Sequence, residues 1–285
     1  MKGRRRIGAY IFILPAFLSV LFAELLPVAY TTYLSFMKWD IINPPRWVGL
    51  SNYVRVFTEQ IFLRSIMNTA LWVIGALVFA GFLPLLVAVA INNLKLKGLF
   101  KTIFYISIPI APTTAAIFWY PIYSTQPGAL NSIFRALGLS HLVKPWLADP
   151  RINTFLMIGV AVWQWFGISL IIYLVGLETV PKECIEASKL DGANSRQIFY
   201  HIVLPLLRPT TMLVIANIII NFARVFDIPW TMIEGGPARM SETLSITMYR
   251  ESFLLFHVGL GSAIAVCIAV FTLVFSLQYL RAVVY

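Results

Sequence analysis

The sequence predicts an all-α integral membrane protein with six transmembrane helices, and three observations carry that expectation. Of its 285 residues, 59% are hydrophobic and only 12% charged, with a mean hydropathy of +0.82, far from the balance of a soluble domain. The apolar residues gather into six runs, each long enough to cross a hydrocarbon core of ~30 Å at ~1.5 Å per residue. Basic residues crowd alternate connections between those runs, as they do where positive charge fixes topology.

The first run, 7–30, follows Lys2, Arg4, Arg5 and Arg6. Its apolar stretch is longer than that of a secretory signal and no clean small-residue cleavage site follows, so it reads as an uncleaved anchor. The second and third runs, 66–91 and 102–124, are joined by a short connection bearing Lys95, Lys97 and Lys101, and the third contains Pro109 and Pro112. The fourth run is 154–176 and the sixth 261–280. The fifth, 210–226, is the least apolar, because it contains Asn217, Asn221 and Arg224. A polar loop, 177–208, separates runs four and five and carries Lys182, Lys189, Arg196 and Arg208. The basic connections fall on one side, which the positive-inside rule makes cytoplasmic, with both termini inside and residues 31–65, 125–153 and 227–260 outside. The chain reads as a single transmembrane domain, 1–285.

Several function classes fall away. A net charge of +10 suggests nucleic acid in a soluble chain, but here the charge marks the ends of apolar runs. Cys184 lies in the polar loop and Cys267 deep in the last run, so a disulfide between them is not expected. His141, His201 and His257 are scattered without metal-ligand spacing, no nucleophile has an adjacent base, and no G-x-x-x-x-G-K-[ST] phosphate loop is present. The chain reads as a non-enzyme that binds no cofactor of its own.

The polar stretch EASKLDGANSRQIFYHIVLP, residues 186–205, carries most of the functional signal. Pro181 suits a helix's first turn, where its missing N–H has no partner to lose, and a helix from there reaches about Leu190. Gly192 permits a left-handed stop. Asn194 with Gln197 has the spacing of a capping box, so a second short helix begins there, with Ile198, Phe199 and Ile202 on one apolar face. Pro205 and Pro209 are expected to end it. A helix this short is marginal alone and needs something to dock against; a cytosolic protein or lipid headgroups would both serve.

This stretch resembles the cytoplasmic loop of permease subunits from binding-protein-dependent ABC importers: Glu-Ala-Ala, then Asp-Gly-Ala, then Phe-x-x-Ile-x-Leu-Pro, with Ser188 the one departure in the opening triplet. The likeness extends along the chain. LPAFLSV, WVGLSNYVRVF, FLRSIMNTA, GALNSIFRALGL, WLAD, TMIEGGP, SETLSITMYRESF and GLGSAIA are similar in order and spacing to the carbohydrate branch of the family, and to its maltose- or glycerol-3-phosphate-permease-like first subunit. The resemblance implies the type I importer permease fold, with a coupling-helix loop, in the cytoplasmic membrane. It also implies partners: a second homologous permease forming a heterodimer, two copies of a cytosolic ABC ATPase that hold ATP and magnesium, and an extracytoplasmic solute-binding protein. A self-contained secondary transporter or channel is the alternative; it needs a buried coupling-ion site, for which Glu24 is the one acidic candidate within the runs.

Within that reading Glu186 is the residue expected at the ATPase contact, since a carboxylate on a docking helix can pair with a basic group of the partner. A solvated i, i+4 pair with Lys182 is the simpler alternative. Asp191 and Gly192 shape the turn, Ala187 and Ala193 are close-packing positions, and Phe199 and Ile202 hold the loop against the permease, with Pro205 marking where it turns into the fifth run. The substrate path is expected along Asn217, Asn221 and Arg224, which recur at i, i+4 and i+7 on one helix face, where polar groups seldom face lipid. Gln164 and Trp165 in the fourth run, beside Trp163, offer an amide and an aromatic face to a sugar, and Thr113 is a lesser candidate. The asparagines could instead join helices, and Arg224 could snorkel or pair with Glu24.

Overall fold

The computed structural model describes residues 12–92, 94 and 97–284; Lys2, Arg4, Arg5, Arg6 and Lys95 lie outside them, as does the start of the first predicted run. Two compact units divide the chain, residues 1–63 with 247–269, and residues 64–246 with 270–285. Among the described residues five helical stretches are long and apolar enough to cross a membrane: Phe12–Ser35, Gln60–Ile91, Asn153–Glu178, Arg208–Ile233 and Val258–Gln278. In chain order the helices are α1 (Phe12–Ser35), α2 (Ser51–Thr58), α3 (Gln60–Ile91), α4 (Lys97–Tyr105), α5 (Pro112–Tyr123), α6 (Ala129–Ala136) and α7 (Asn153–Glu178). They continue with α8 (Lys182–Leu190), α9 (Ser195–Ile198, extended through Leu206), α10 (Arg208–Ala223), α11 (Asp227–Ile233), α12 (Leu244–Tyr249) and α13 (Val258–Val284).

The predicted third run is not one helix. Residues 106–111 form a turn between α4 and α5, and Ala111 is extended at φ −62°, ψ 145°. The cause is local: a residue before proline is pushed out of the helical region, and Pro109 and Pro112 apply that constraint twice within four residues. The two pieces, 9 and 12 residues long, still add to roughly 30 Å at helical rise. A broken crossing must have its freed backbone groups satisfied by protein. Here Gln164 of α7 donates its side-chain amide to the carbonyl of Ile110, and Ser107 donates its hydroxyl to the Gln164 carbonyl at 3.4 Å.

Prolines elsewhere are absorbed rather than obeyed. Pro27, Pro84 and Pro205 each follow a π-turn, at Leu21–Leu25, Leu77–Phe82 and Phe199–Val203, and in each the residue before the proline donates its N–H five residues back: Leu26 to Leu21, Leu83 to Val78, Leu204 to Phe199. The wider turn makes room beside a ring that carries no N–H. Pro205 therefore lies inside α9 and does not end it, contrary to the expectation from sequence, whereas Pro209 sits in the first turn of α10.

In the unit of residues 1–63 and 247–269, β1 (Met37–Lys38) pairs antiparallel with β2 (Arg46–Trp47). Buried Asn52 of α2 donates to the carbonyls of Ser35 at 2.9 Å and Met37 at 2.8 Å, tying the end of α1 to this hairpin. Apart from that end α1 is exposed along its length, which suits a helix whose solvent is lipid.

In the other unit α7 is the spine, burying residues on every side, among them Met157, Ala161, Leu170, Tyr173 and Leu174. Lipid supplies no hydrophobic drive between helices, so close approach must hold them. A Cβ on Gly167 would stand 2.1 Å from the Phe104 carbonyl oxygen, so α4 meets α7 backbone to backbone there. Residues 234–244 are pinned by side chains: Asn68 donates to the carbonyls of Met240 and Glu242 at 2.9 Å each, and Ser241 donates to Asn153 at 2.8 Å. Gly235 and Gly236 have φ of +86° and +81°, the left-handed region that glycine enters without steric cost. Both cysteines are free.

Candidate functional site

Two groups of the expected residues can be followed into the structure. The first is the polar loop. Helix α8 ends at Leu190, and Gly192 at φ +82° reverses the chain. The Asn194 side chain accepts from the Gln197 N–H at 2.9 Å while Gln197 accepts from the Asn194 N–H at 2.8 Å, so the capping box read from the spacing is formed. Ile198 and Val203 are buried in the core, with Ile185, Ala193 and Phe199 packed against it. Phe199 is half-buried and packs against that core. Ile202 does not share that burial; it is half-buried on the wall of a groove of about 370 Å³, with Ser188, Asp191, Gly192, Ala193, Gln197, Ile198 and His201.

Glu186 and Ala187 are exposed on α8, so Ala187 is not packed within this chain. Among the described residues Glu186 makes no ion pair, and its i, i+4 neighbour Lys182 does not reach it. Leu190 is 90% exposed at the tip of α8, beside the Asp191–Gly192 turn. Sequence reasoning passed over it; the signal was a lone large apolar residue in a polar turn. The result is a pair of short helices, fixed at one end by apolar anchors and presenting a free carboxylate, an isolated leucine and a groove at the other.

The second group surrounds a cavity of about 270 Å³ lined by Pro112, Ala161, Gln164, Trp165, Asn221, Phe222, Arg224, Val225, Asp227 and Ile228. Four of the expected path residues meet here: Gln164, Trp165, Asn221 and Arg224. Two do not. Thr113 is exposed and lies off the lining, although its neighbour Pro112 belongs to it. Asn217 also lies off the lining and donates to the Leu213 carbonyl of its own helix at 3.0 Å, a local bond that competes with any longer reach. Asn221 likewise donates to the Asn217 carbonyl at 2.8 Å, and its oxygen accepts from Arg224 at 3.3 Å. Helix α10 ends at Ala223, and Arg224 leaves it at φ −111°, so the equal helical spacing assumed for the three residues stops one residue short. Trp165 packs edge-on to Phe222, with ring centroids 5.7 Å apart.

Gln164 has two separate tasks. It is 4% exposed; its amide nitrogen secures the break between α4 and α5, and its buried Oε1 accepts no hydrogen bond. A buried acceptor left open costs ~1–3 kcal/mol, so it needs a reason to stay.

Comparison with known proteins gives these features a setting. The family described as "Binding-protein-dependent transport system inner membrane component" matches residues 59–283. The probable ABC transporter permease protein YurN of Bacillus subtilis (strain 168) is 30% identical over 285 residues, covering 99% of this chain and 97% of that one. The arabinooligosaccharides transport system permease protein AraP of the same organism is 31% identical over 281 residues, covering 97% and 88%. Among solved structures, a chain of a bacterial alginate ABC transporter in complex with an alginate pentasaccharide-bound periplasmic protein is similar with a TM-score of 0.79 and 22% identity, over 97% of this chain and 93% of that one.

Proposed function

The chain belongs to the family of binding-protein-dependent transport system inner membrane components, and from that premise we propose that it moves a carbohydrate across the cytoplasmic membrane as one half of a permease pair. It is the multi-pass permease subunit of an ABC importer, a transport component whose ATP is hydrolysed by a separate ATPase subunit and whose solute arrives on a binding protein. The comparisons lend nothing to a self-contained secondary transporter. A carbohydrate is favoured by the arabinooligosaccharide relative, and by a cavity that sets the Trp165 ring beside amide groups, the pairing that suits a sugar's apolar and hydroxyl faces. The companion is a second, homologous permease, both termini are cytoplasmic, and ATP with its magnesium sits on the ATPase rather than on this chain.

One observation carries the mechanism: α8 and α9 present Glu186 and Leu190 outward while Ile198 and Val203 root the same segment in the core. A load applied to α8 therefore reaches the bundle through packed side chains, and α9 passes by way of buried Leu207 into α10, the helix that brings Asn221 to the cavity. On this reading Glu186, Ala187, Asp191, Gly192 and Ala193 form or shape the ATPase contact, Phe199 and Pro205 lie on the link to α10, and Gln164, Trp165, Asn221 and Arg224 line the path. Closure of the ATPase dimer pulls the segment and biases the bundle between inward- and outward-open states.

Reconstitution of the chain with its companion permease, ATPase and binding protein into vesicles tests this. Radiolabelled sugar is expected to accumulate only when ATP, ATPase and binding protein are all present. Uptake by the chain alone, driven by an ion gradient, would overturn the reading.

A further inference from the structure

Where α1 ends and α13 begins, two apolar loops stand uncovered by the rest of the chain. The Val258 N–H donates to the Trp39 carbonyl at 3.0 Å, and a Cβ on Gly259 would lie 1.8 Å from the Met37 carbonyl oxygen. The β1–β2 hairpin is thereby fixed at the level where these two helices leave the membrane. Its tip carries Ile41 and Ile42, the latter 91% exposed. The chain leading into α13 carries the second loop, in which Phe253, Leu254, Leu255 and Phe256 are four consecutive large apolar residues, all exposed. His257 closes that loop at its base: its N–H donates to the Glu251 carbonyl at 2.7 Å, and its Nδ1 lies 2.9 Å from Glu251 Oε2. Ile41 and Phe256 have φ of +69° and +57°, a strained conformation for such side chains that persists only where the surroundings impose it. Four exposed apolar residues in a row are a liability in water.

Charge on the hairpin points to what covers these loops. Lys38 and Arg46 stand directly opposite each other in the β1–β2 pairing and both are exposed. Like charges so placed repel, and among the described residues neither makes an ion pair. Asp40, the acid within the hairpin, turns its two carboxylate oxygens to Asn43, at 2.8 Å each. Two opposed cations call for an anion from outside the chain. Trp47 stacks on Phe36 and still exposes most of its surface, and α2 adds exposed Val54 and Phe57 while burying Asn52 and Val56. Cations, an open indole and apolar side chains gathered at the end of a spanning helix are the chemistry of a membrane interface. Helix α1, exposed along nearly its whole length, carries the lipid-facing surface up to the hairpin without a break. We propose that the hairpin and the 253–256 loop form a phospholipid-docking surface, in which Ile42 and Phe256 enter the edge of the hydrocarbon layer and Lys38 and Arg46 clamp one lipid phosphate. This surface is independent of the solute carried and of which membrane face is cytoplasmic; it requires only that α1 and α13 cross the bilayer.

The test uses the complete transporter. In a Cys184→Ser, Cys267→Ser background, an environment-sensitive dye is attached at Ile42→Cys or Phe256→Cys and the protein is placed in nanodiscs. Both labels are expected to be quenched strongly by phosphatidylcholine bearing a nitroxide high on its acyl chain, and weakly by aqueous iodide. Strong iodide quenching at either position would leave that loop in water, and shielding from both quenchers would place it under another protein; either result overturns the docking. The clamp is read separately by native mass spectrometry of the detergent-solubilised transporter titrated with phosphatidylglycerol. Lys38→Gln with Arg46→Gln removes no partner from this chain, so the fold is retained, and the double variant is expected to bind the lipid about tenfold more weakly. Inorganic phosphate is expected not to displace it. Unchanged lipid affinity in the double variant, or displacement by inorganic phosphate, would overturn the clamp.

Discussion

Alanine at position 186 is expected to lower ATP-driven uptake by roughly ten- to a hundredfold while the chain still folds and inserts. The carboxylate is exposed, and among the described residues it has no ion-pair partner, so its removal takes nothing from this chain. Its value lies in what it meets. A hydrogen bond to a charged group contributes ~1.5–3 kcal/mol, which at ~1.4 kcal/mol per decade gives that range in ATPase affinity. Uptake and membrane abundance measured together separate the two effects. Normal uptake, or loss of uptake that follows loss of protein, would remove Glu186 from the contact. Gly192→Val should share the phenotype for a different reason. Nothing lies within 4 Å of a Cβ placed there, so no clash follows, but a branched residue at φ +82° costs ~1–2 kcal/mol and favours a different turn. The angle between α8 and α9 would change, while the charge on α8 would not.

The second large effect belongs to Gly167. An alanine there places a methyl carbon 2.1 Å from the Phe104 carbonyl oxygen and 3.0 Å from its carbon, against backbone that cannot rotate away. Helices α4 and α7 must separate, and the loss is expected to reach or exceed the ~1–3 kcal/mol typical of overpacking, since the separation also strains the Gln164 contact at Ile110. Gly159 on the same helix has open space around its Cβ position. Alanine there should be neutral or slightly stabilising, by up to ~1 kcal/mol from helix propensity. Thermal unfolding of the purified transporter in detergent measures both; equal midpoints for Gly167→Ala and Gly159→Ala would contradict the close crossing.

These residues also show what a sequence can and cannot disclose. The capping box at Asn194 and Gln197 and the left-handed stop at Gly192 were legible because each depends on residues within a few positions of one another. The apolar runs were legible for a related reason: the bilayer imposes one length on all of them. Lateral approach was not legible. Gly167 reads as one more small residue in an apolar run until Phe104 lies against it, and Pro205 reads as a stop until the π-turn before it makes room. The cavity lining was half legible. Helical spacing grouped Asn217 with Asn221 and Arg224, but the helix ends at Ala223 and Asn217 bonds its own backbone. Gln164 and Trp165 do join Asn221 and Arg224 at one cavity, together with Asp227, which no periodicity would have selected. Leu190 escaped notice because apolar residues are common in this chain, and only its 90% exposure sets it apart.

The central claim is that residues 182–206 form the surface through which the ATPase drives this bundle. Hydrogen exchange of the assembled permease pair, followed with and without the ATPase subunit, tests it most directly. Binding is expected to slow exchange across α8 and the Asp191–Gly192 turn, and to leave α6 and the 234–244 segment unchanged. Unaltered exchange in α8 and its turn in a complex shown to contain the ATPase would contradict it.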